Sequence, residues 1–484
     1  MKLIKMSLIA IVATCSTYAA DEATIDGTVP DHGLIDTIHD GHKDNGEIYG
    51  QFRTFYLDRT YLGGIVNNRN TLSAGGYVGY MTPVYNGFSA MVAAYGTYGF
   101  KIHGDPVTSA NYDPSMYGAG FENYAFIGHA YVNYESGETN VKAGRMRLDT
   151  PFAGADDARM LPNLFEAALV TNKSLENTTL IAGHVFRETI GTFGNVYGTG
   201  WKEIGNTGTY AANSLALQSG YGLGLGLDST TSGSFENMGV VALGNQDANG
   251  NYVDNSTSGV SVVAGVYEGI EGLKLQAWDY IAWDIVNTLY LQGDYSFKVA
   301  DGFTLVASAQ YINQRDIGGA YLGNVNGGNG KINSNYIAGK ITGKYDNFTA
   351  YFAYSSTGSN NDTFTNGGII TPWGGMPAFT QGMVTRHQFF ANTDAIKIAA
   401  TYNFKDFGLK ASVYYTEFDM GSENTYRPGI AWKSNEPGFD FQYKIAAVDG
   451  LNFRFRGNFP NAFGASAGSE FDWDEYRVIL NYNF

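Results

Sequence analysis

Cysteine, proline, charged residues and long apolar runs are all scarce in this chain. Its single cysteine, Cys15, lies near the amino terminus, so the rest of the chain can form no disulfide. Beyond residue 20, no stretch reaches the roughly 18 consecutive apolar residues that a transmembrane helix requires. Charged residues make up 16% of the chain, whereas soluble domains average about 25%. These absences exclude a disulfide scaffold and a helical membrane protein.

Residues 1–19 are predicted to be a secretory signal peptide. Lys2 and Lys5 give a basic start, the short apolar run 8–13 follows, and small residues precede the cut expected after Ala19. The apolar run is too short to serve as a membrane anchor. A lipoprotein attached through Cys15 is the alternative, although Thr14 is a poor fit for that motif.

The charge balance is acidic. Loss of the leader removes two lysines and no acids, so the formal charge changes from −16 to −18. Such a balance argues against nucleic acid as a partner.

Alternation of apolar and polar residues recurs from Glu47 to the end of the chain. Successive strand side chains point to opposite faces, so each such segment would have one apolar and one polar face. Crossing an apolar band of about 25 Å at a tilt of about 40° takes on the order of 10 residues. Eighteen candidate strands of that length are expected at 47–57, 71–83, 87–99, 124–134, 139–148, 164–173, 178–187, 259–268, 273–284, 288–298, 302–314, 334–345, 348–356, 395–404, 407–418, 437–448, 451–459 and 475–484.

The connections alternate between short turns and long loops, which is the layout of bacterial outer-membrane barrels. Aromatic pairs such as Tyr402 and Phe404 lie at strand ends, as in the girdles of such barrels. The sequence therefore predicts an all-β fold, a transmembrane antiparallel barrel of about 18 strands over 47–484. Residues 20–46 are expected to form a periplasmic tether or plug. Residues 238–243 also resemble a strand, but an even strand count places them in the long loop 188–258.

The final strand is expected to close the barrel. Tyr476, Val478, Leu480, Tyr482 and Phe484 alternate with polar residues. A terminal aromatic strand that pairs with the first strand would remove the open edge of the sheet. The terminal phenylalanine also resembles the signal that barrel-insertion machinery reads.

Arginines on three neighbouring strands predict a basic wall in the lumen. An eighteen-strand barrel is wide enough for an aqueous channel. By parity the inward set includes Arg53, Arg454, Arg456 and Arg477, with Arg59 at the outer end of the first strand. Fixed cations in a narrow channel raise the local concentration of anions. The alternative is that each arginine pairs with a luminal carboxylate and stiffens the wall.

Two segments resemble the OprD-type outer membrane porin family: GRMRLDTPFAGADDARMLPNLFE at 144–166 and AGHVFRE at 182–188. The opening YGQFR at 49–53, the FRFR at 453–456 and the YRVI at 476–479 are similar to it as well. The resemblance implies an eighteen-strand channel for small solutes, with a ladder of basic residues and a constriction made by inward-folded loops.

The resemblance assigns roles to individual residues of this chain. Arg53, Arg59, Arg454, Arg456 and Arg477 fall on the ladder. Asp156, Asp157 and Arg159 fall on the third, constricting loop, where Arg159 is the best candidate for the narrowest point. Family members commonly prefer carboxylate-bearing solutes. The loop 357–394 departs from the family because it lacks the acid found in members selective for basic amino acids, so such a preference is in doubt here.

Arg145 poses a separate question about orientation. By parity it shares the lipid-facing side with Val141 and Ala143. Either it lies above the apolar band or a bulge turns it inward.

No catalytic motif and no cofactor site is predicted. His32, His39 and His42 lie near carboxylates and could bind a transition metal, but their spacing is not a tight ligand pattern. His129 and His184 lack a recognisable nucleophile motif beside them.

The predicted function is passive diffusion of small hydrophilic solutes, with an anion or carboxylate preference. The alternative is a surface adhesin or receptor whose long loops bind a partner. The expected surroundings are outer-membrane lipids, and the barrel could be a monomer or a homotrimer.

Overall fold

The computed structural model describes residues 45–62, 68–106, 109, 111–196, 232–244, 252–324, 329–424, 429–464 and 472–484. Eighteen long antiparallel strands, numbered β1 to β18 in chain order, form one closed sheet, and the two-residue strand Glu236–Asn237 adds to it by pairing with the seventh. The two-residue strands Asp149–Thr150 and Ala153–Gly154 form a separate small hairpin. The eighteen long strands are Glu47–Tyr61, Arg69–Met81, Phe88–Gly99, Tyr124–Ser136, Thr139–Met146, Leu164–Asn172, Thr178–Thr189, Val260–Ile270, Leu273–Ala282, Val286–Ala300, Phe303–Asp316, Asn333–Tyr345, Phe348–Thr357, Thr393–Phe404, Leu409–Met420, Trp432–Lys444, Leu451–Asn458 and Trp473–Asn483.

The sheet closes because β1 pairs with both β2 and β18. The pairing between β1 and β18 runs from Gln51 opposite Asn483 to Tyr61 opposite Trp473. Gly50 and Phe484 extend it, with the Phe484 carbonyl accepting from the Gly50 amide at 2.8 Å. Closure satisfies the backbone groups that an open edge would leave unpaired in lipid. The predicted fold class and the predicted closing strand are therefore confirmed.

Each of the eighteen expected strands is present, and most ends agree within two or three residues. The largest difference is β16, expected at 437–448 and found at Trp432–Lys444. The strand starts earlier because it continues through Pro437, which lies opposite Tyr415 on β15. The proline carbonyl accepts from the Phe459 amide at 3.0 Å, so Pro437 keeps one contact on the other side.

The two faces of the wall differ as the alternation requires. Large apolar side chains such as Phe52, Ile341, Phe352 and Ile398 are exposed on the outer surface. Their sequence neighbours, including Arg53, face inward and are buried from solvent. Aromatic side chains lie at strand ends on the outer surface, among them Tyr402 and Phe404, which suits the two membrane interfaces.

The third loop (147–163) and the seventh loop (358–392) fold into the lumen. Residues 152–165 and 367–391 are buried over most of their length, and their apolar side chains join those of the wall in one core. Short 3-10 turns lie at Pro114–Met116, Ala119–Phe121, Thr192–Val196, Tyr321–Asn324, His387–Phe389 and Lys405–Phe407. In the described ranges no helix is long and apolar enough to cross a membrane.

Residues Met238–Leu243 form a short α-helix, α1, inside the long fourth loop. The strand-like reading of this segment was wrong, although its placement in the loop agrees with the structure. The Asn237 side chain caps the helix by accepting from the Gly239 amide at 2.9 Å. Gly244 ends it with a positive φ of 76°. Residues 1–44, which hold the predicted leader and nearly all of the predicted tether, lie outside the described residues.

Candidate functional site in the lumen

The five arginines of the predicted ladder lie on one wall. β17 and β1 flank β18 on either side, and Arg456 lies directly opposite Arg477 in the β17–β18 register. Arg477 lies opposite Leu57 on β1, between Arg53 and Arg59. All five side chains point inward and are buried from bulk solvent. The sheet therefore brings together residues that are more than 400 positions apart in sequence.

Arg53 forms a two-pronged ion pair with the third loop. Its Nη1 and Nη2 donate to the two carboxylate oxygens of Asp157 at 2.6 and 3.0 Å. Nη1 also donates to the carbonyl of Arg159 at 2.6 Å, and Nε to the Asn481 side chain at 2.9 Å. Such bidentate pairs fix orientation as well as charge. Arg53 thus anchors the third loop to the ladder wall.

Glu475 is the centre of a second cluster. Its two carboxylate oxygens accept from Nε of Arg59 and Nε of Arg477, each at 2.6 Å. Arg159 lies 3.7 Å from the same carboxylate and also donates from Nε to Ser115 at 3.0 Å. Glu475 is fully buried. The cluster holds three cations around one anion and joins the wall to the second and third loops.

Asp113, on the second loop (100–123), belongs to the same cluster. Burial alone would raise the pKa of Asp113, but the cations of Arg59, Arg69 and Arg159 outweigh it and lower that pKa below its ordinary value. Arg59 lies 3.5 Å from its carboxylate. This acid therefore stays ionised and compensates part of the local positive charge.

Asp440 on β16 pairs with the two ladder residues of β17, Arg454 and Arg456. Its Oδ1 accepts from Nε of Arg454 at 2.8 Å, and Arg456 lies 3.7 Å from its other oxygen. The possibility that the arginines pair with luminal carboxylates is thus realised in geometry. Such pairing does not cancel the charge of the wall, because the cations and anions on the wall are not equal in number. Pairing alone therefore does not decide whether the channel selects for anions.

Cations outnumber anions among the buried charged side chains of the described residues. The anions are six: Asp113, Asp157, Glu188, Glu436, Asp440 and Glu475. The cations are eleven: Arg53, Arg59, Arg69, Lys142, Arg159, Lys340, Arg386, Lys397, Arg454, Arg456 and Arg477. The buried charges of the described residues are therefore net positive, in a chain whose formal charge is −16.

Asp156, Asp157 and Arg159 occupy the third loop inside the barrel. Asp156 has a positive φ of 39° and accepts from Nη1 and Nη2 of Arg386 at 3.1 and 3.2 Å. Arg386 belongs to the seventh loop, so this pair joins the two inward loops. The guanidinium groups of Arg159 and Arg386 lie 5.0 and 5.1 Å from the ring of Phe193. Arg159 is fully buried in this contact region.

The seventh loop is clamped by a buried acid that the sequence analysis missed. Glu436 accepts from the amides of Met383 and Thr385 at 2.6 and 2.7 Å and from the Tyr414 hydroxyl. Lys397 donates from Nζ to the carbonyl of Gln381 at 2.6 Å. The alternation along β14 and β16 places Lys397 and Glu436 on the inward face. Nothing in the sequence shows which loop these two residues hold.

Lys340 and Lys142 carry luminal cations away from the predicted ladder. Lys340 Nζ lies 4.3 Å from the ring centre of Phe379 on the seventh loop. Lys142 Nζ lies 4.6 Å from the ring of Tyr131. Cations placed over aromatic faces keep their charge while their stems are packed. Both lysines follow the inward alternation of their strands, which is the sequence signal that marks them as luminal.

Two of the histidines that the sequence singled out, His129 and His184, lie on opposite faces of the wall. His129 faces the lumen and its Nε2 lies 3.1 Å from the Tyr95 hydroxyl. His184 Nδ1 lies 2.9 Å from the Ser261 hydroxyl, and its Nε2 lies 2.6 Å from the Ser258 carbonyl, on the outer side. The described ranges hold no cluster of three or more residues able to ligate a metal. His32, His39 and His42 lie outside them.

The architecture defines a class of protein. A closed barrel of eighteen strands, with long loops folded into a charged lumen, is the fold of a bacterial outer-membrane porin. Residues 41–192 match the family model described as outer membrane porin, OprD family. The predicted resemblance to the OprD family is thereby confirmed over that part of the chain. A search of curated protein sequences finds no match.

Solved structures agree over the whole barrel. OpdK of Pseudomonas aeruginosa, crystallised with vanillate, is 15% identical, with a TM-score of 0.66 over 91% of this chain and 98% of the other. OccK2 (OpdF) of the same organism, in complex with glucuronate, is 14% identical, with a TM-score of 0.64 and the same coverage. OccAB2 of Acinetobacter baumannii is 18% identical, with a TM-score of 0.66 over 92% and 99%. At such identities the likeness concerns the fold.

Proposed function

We propose that this porin is a diffusion channel for small hydrophilic solutes and that it prefers anions, carboxylates in particular. The observation that carries the proposal is the excess of cations, eleven against six anions, among the buried charged residues that the structure describes. A positive interior bounded by a low-dielectric wall concentrates anions and repels cations. The two similar porins solved with vanillate and with glucuronate are consistent with a carboxylate solute.

The ladder residues divide into a wall and its supports. Arg454, Arg456 and Arg477 lie side by side on β17 and β18. Asp440 and Glu475 hold their guanidinium groups in fixed positions. Such preorganised donors attract an anion with no rearrangement of the wall. Asp156, Asp157 and Arg159 set the position of the third loop and, through it, the width of the passage.

The test is the reversal potential in planar bilayers under a salt gradient. Replacing Arg454 and Arg456 by glutamine should lower the ratio of anion to cation permeability severalfold. Because Asp440 would lose its partners, a triple variant that adds Asp440→Asn separates the charge effect from a distorted wall. Arg315→Gln, on the exposed end of β11, is the matched control. Unchanged reversal potentials in the double and triple variants would show that the ladder does not select.

Solute uptake by proteoliposomes defines the carboxylate preference. Glucuronate and glucose differ in a single carboxylate, so their relative rates isolate its effect. Faster uptake of glucuronate, lost in the double variant, is expected. Equal rates would refute the preference. A barrel that conducts nothing, even with the third loop deleted, would instead favour an adhesin or receptor.

A further inference from the structure

A charged row crosses the outer, lipid-facing surface near the extracellular ends of three strands. Arg145 on β5 lies opposite Glu166 on β6, and Glu166 lies opposite Arg187 on β7. All three are at least partly exposed, whereas Lys142, Val185 and Glu188 on the same strands are buried on the inner face. The orientation question for Arg145 is settled: it stays on the lipid-facing side.

Arg145 is held in place by three contacts. Its Nε lies 3.7 Å from the Glu166 carboxylate, and its Nη1 donates to the Ile127 carbonyl at 3.3 Å. The guanidinium carbon lies 4.4 Å from the ring centre of Phe235, in the fourth loop. The side chains of Arg145 and Glu166 are 38% and 34% exposed. A charged group so placed on a lipid-facing wall is costly unless it meets the polar headgroups.

A cavity of about 290 Å³ opens beside this row. Its floor consists of small residues: Ala130, Ala143, Gly144, Ala167 and Ala168. Gly144 has a φ of 128°, and an added Cβ would lie 2.2 Å from the Ala130 carbonyl oxygen, so a side chain is excluded there. Phe186 forms one side of the cavity. The surrounding outer surface carries Val132 and Val170, both largely exposed.

The row lies near the strand ends, where the headgroups of the outer leaflet are expected. Arg145 is the last but one residue of β5, Glu166 is the third of β6, and Arg187 is the third from the end of β7. The exposed aromatic residues Phe186 and Trp283 lie close to the same extracellular ends, where the interfacial aromatic belt is expected. Two cations and one anion leave the row with one net positive charge.

We propose that this cavity binds a phosphorylated glycolipid of the outer leaflet, with the phosphate at Arg145 and Arg187 and an acyl chain in the small-residue groove. Arginine is suited to phosphate because its planar fork presents two parallel N–H donors. The alanine and glycine floor gives a recess into which a flexible chain can pack. The site lies outside the channel and goes beyond the proposed diffusion function.

Native mass spectrometry of the detergent-solubilised protein, titrated with lipid A, tests the site. Wild-type protein should bind bisphosphorylated lipid A in preference to dephosphorylated lipid A. Arg145→Ala together with Arg187→Ala should weaken binding about tenfold, because charge-assisted hydrogen bonds are lost. Arg315→Ala, an exposed arginine at the end of β11, should leave binding unchanged. Ala143→Leu should also weaken binding, since it fills the groove and keeps every charge.

Three results would overturn the site. Equal binding by wild type and by the double variant excludes the arginines. Equal binding of the two forms of lipid A excludes phosphate recognition. The third result is an oligomer in which neither the wild type nor Ala143→Leu binds lipid and in which Ala143→Leu causes dissociation. That result would assign the groove to contact with a second copy of the chain. Single-channel conductance equal to wild type shows that each variant is folded, and it is independent of lipid binding.

Discussion

Arg53 and Asp157 are joined by two parallel hydrogen bonds of 2.6 and 3.0 Å, and both side chains are almost completely buried. One residue lies on the first strand and the other on the third loop, 104 positions away. The pair therefore anchors the third loop, which narrows the lumen, to the wall of the barrel. Its charge cancels locally, while its geometry fixes the loop.

Asp157→Asn should raise anion selectivity. The substitution removes one luminal negative charge, and the amide still accepts a hydrogen bond from Arg53, so the loop should stay in place. The permeability ratio of anion to cation should increase, as measured by reversal potentials. Asp301→Asn, on a fully exposed periplasmic turn, is the matched control and should change nothing. A shift toward cations would contradict the electrostatic account of the lumen.

Arg386→Gln should loosen the contact between the third and seventh loops. Arg386 is 3% exposed and makes both charged hydrogen bonds to Asp156. Removing one partner of a buried pair commonly costs about 3–5 kcal/mol. Larger or noisier single-channel currents are expected than in wild type. Adding Asp156→Asn to the same chain should lower the current noise part of the way toward wild type, because it removes the unpaired carboxylate. If Arg386→Gln gave currents identical to wild type, this pair would not restrict the passage.

Glu436→Ala should release the seventh loop from the wall. Its carboxylate accepts from the amides of Met383 and Thr385, which would otherwise be buried without an acceptor. Leaving a buried donor unpaired costs about 1–3 kcal/mol. Limited proteolysis of folded protein should cut between residues 376 and 391 in the variant and not in wild type. Glu417→Ala, on the outer face of β15, provides the comparison; equal resistance of all three proteins would exclude the clamp.

Acid should weaken the docking of the seventh loop through His387. Burial lowers the pKa of His387 to about 3, and this outweighs the hydrogen bond with the Phe463 carbonyl, which raises the pKa. The docked imidazole is therefore neutral. An undocked loop takes up a proton below about pH 6.5. Docking is therefore fully favourable above that pH and loses up to about 1.4 kcal/mol per unit as the pH falls toward 3.

Proteolytic susceptibility of the loop, measured from pH 7 to pH 4.5, checks this dependence. Cutting should increase with acid in wild type. His387→Phe should flatten the profile, since phenylalanine fills the aromatic surroundings of Phe390, Phe418 and Phe463 without titrating. His103→Gln, an exposed histidine of the second loop, should leave the profile as it is. A profile that survives His387→Phe would assign the effect to other groups.

The wall could be predicted from the sequence, and the loops could not. Strand positions follow from a period of two and from the length needed to cross a membrane, both of which are local properties. The inward direction of Arg454, Arg456 and Arg477 follows from the same parity. Glu475, two residues before Arg477, shares that inward face and was readable from the sequence.

The partners contributed by the loops follow from no local pattern. Asp156 meets Arg386 across 230 positions, and Glu436 meets Thr385 only because the seventh loop folds inward. Residues 238–243 illustrate the limit at short range. Their apolar run suits either a strand or a helix, and the cap from Asn237 decides for the helix.

The pairing of Gln51 with Asn483 spans 432 positions of the chain. Strand β1 must therefore remain without one of its two neighbours until β18 has been delivered, however early β1 itself was exported. During that interval the nascent sheet has two unsatisfied borders, and each can recruit a foreign strand. Safe assembly depends on keeping that interval short or on covering those borders. The pairing of β1 with β18 therefore limits how slowly the barrel can be assembled, in addition to closing the sheet.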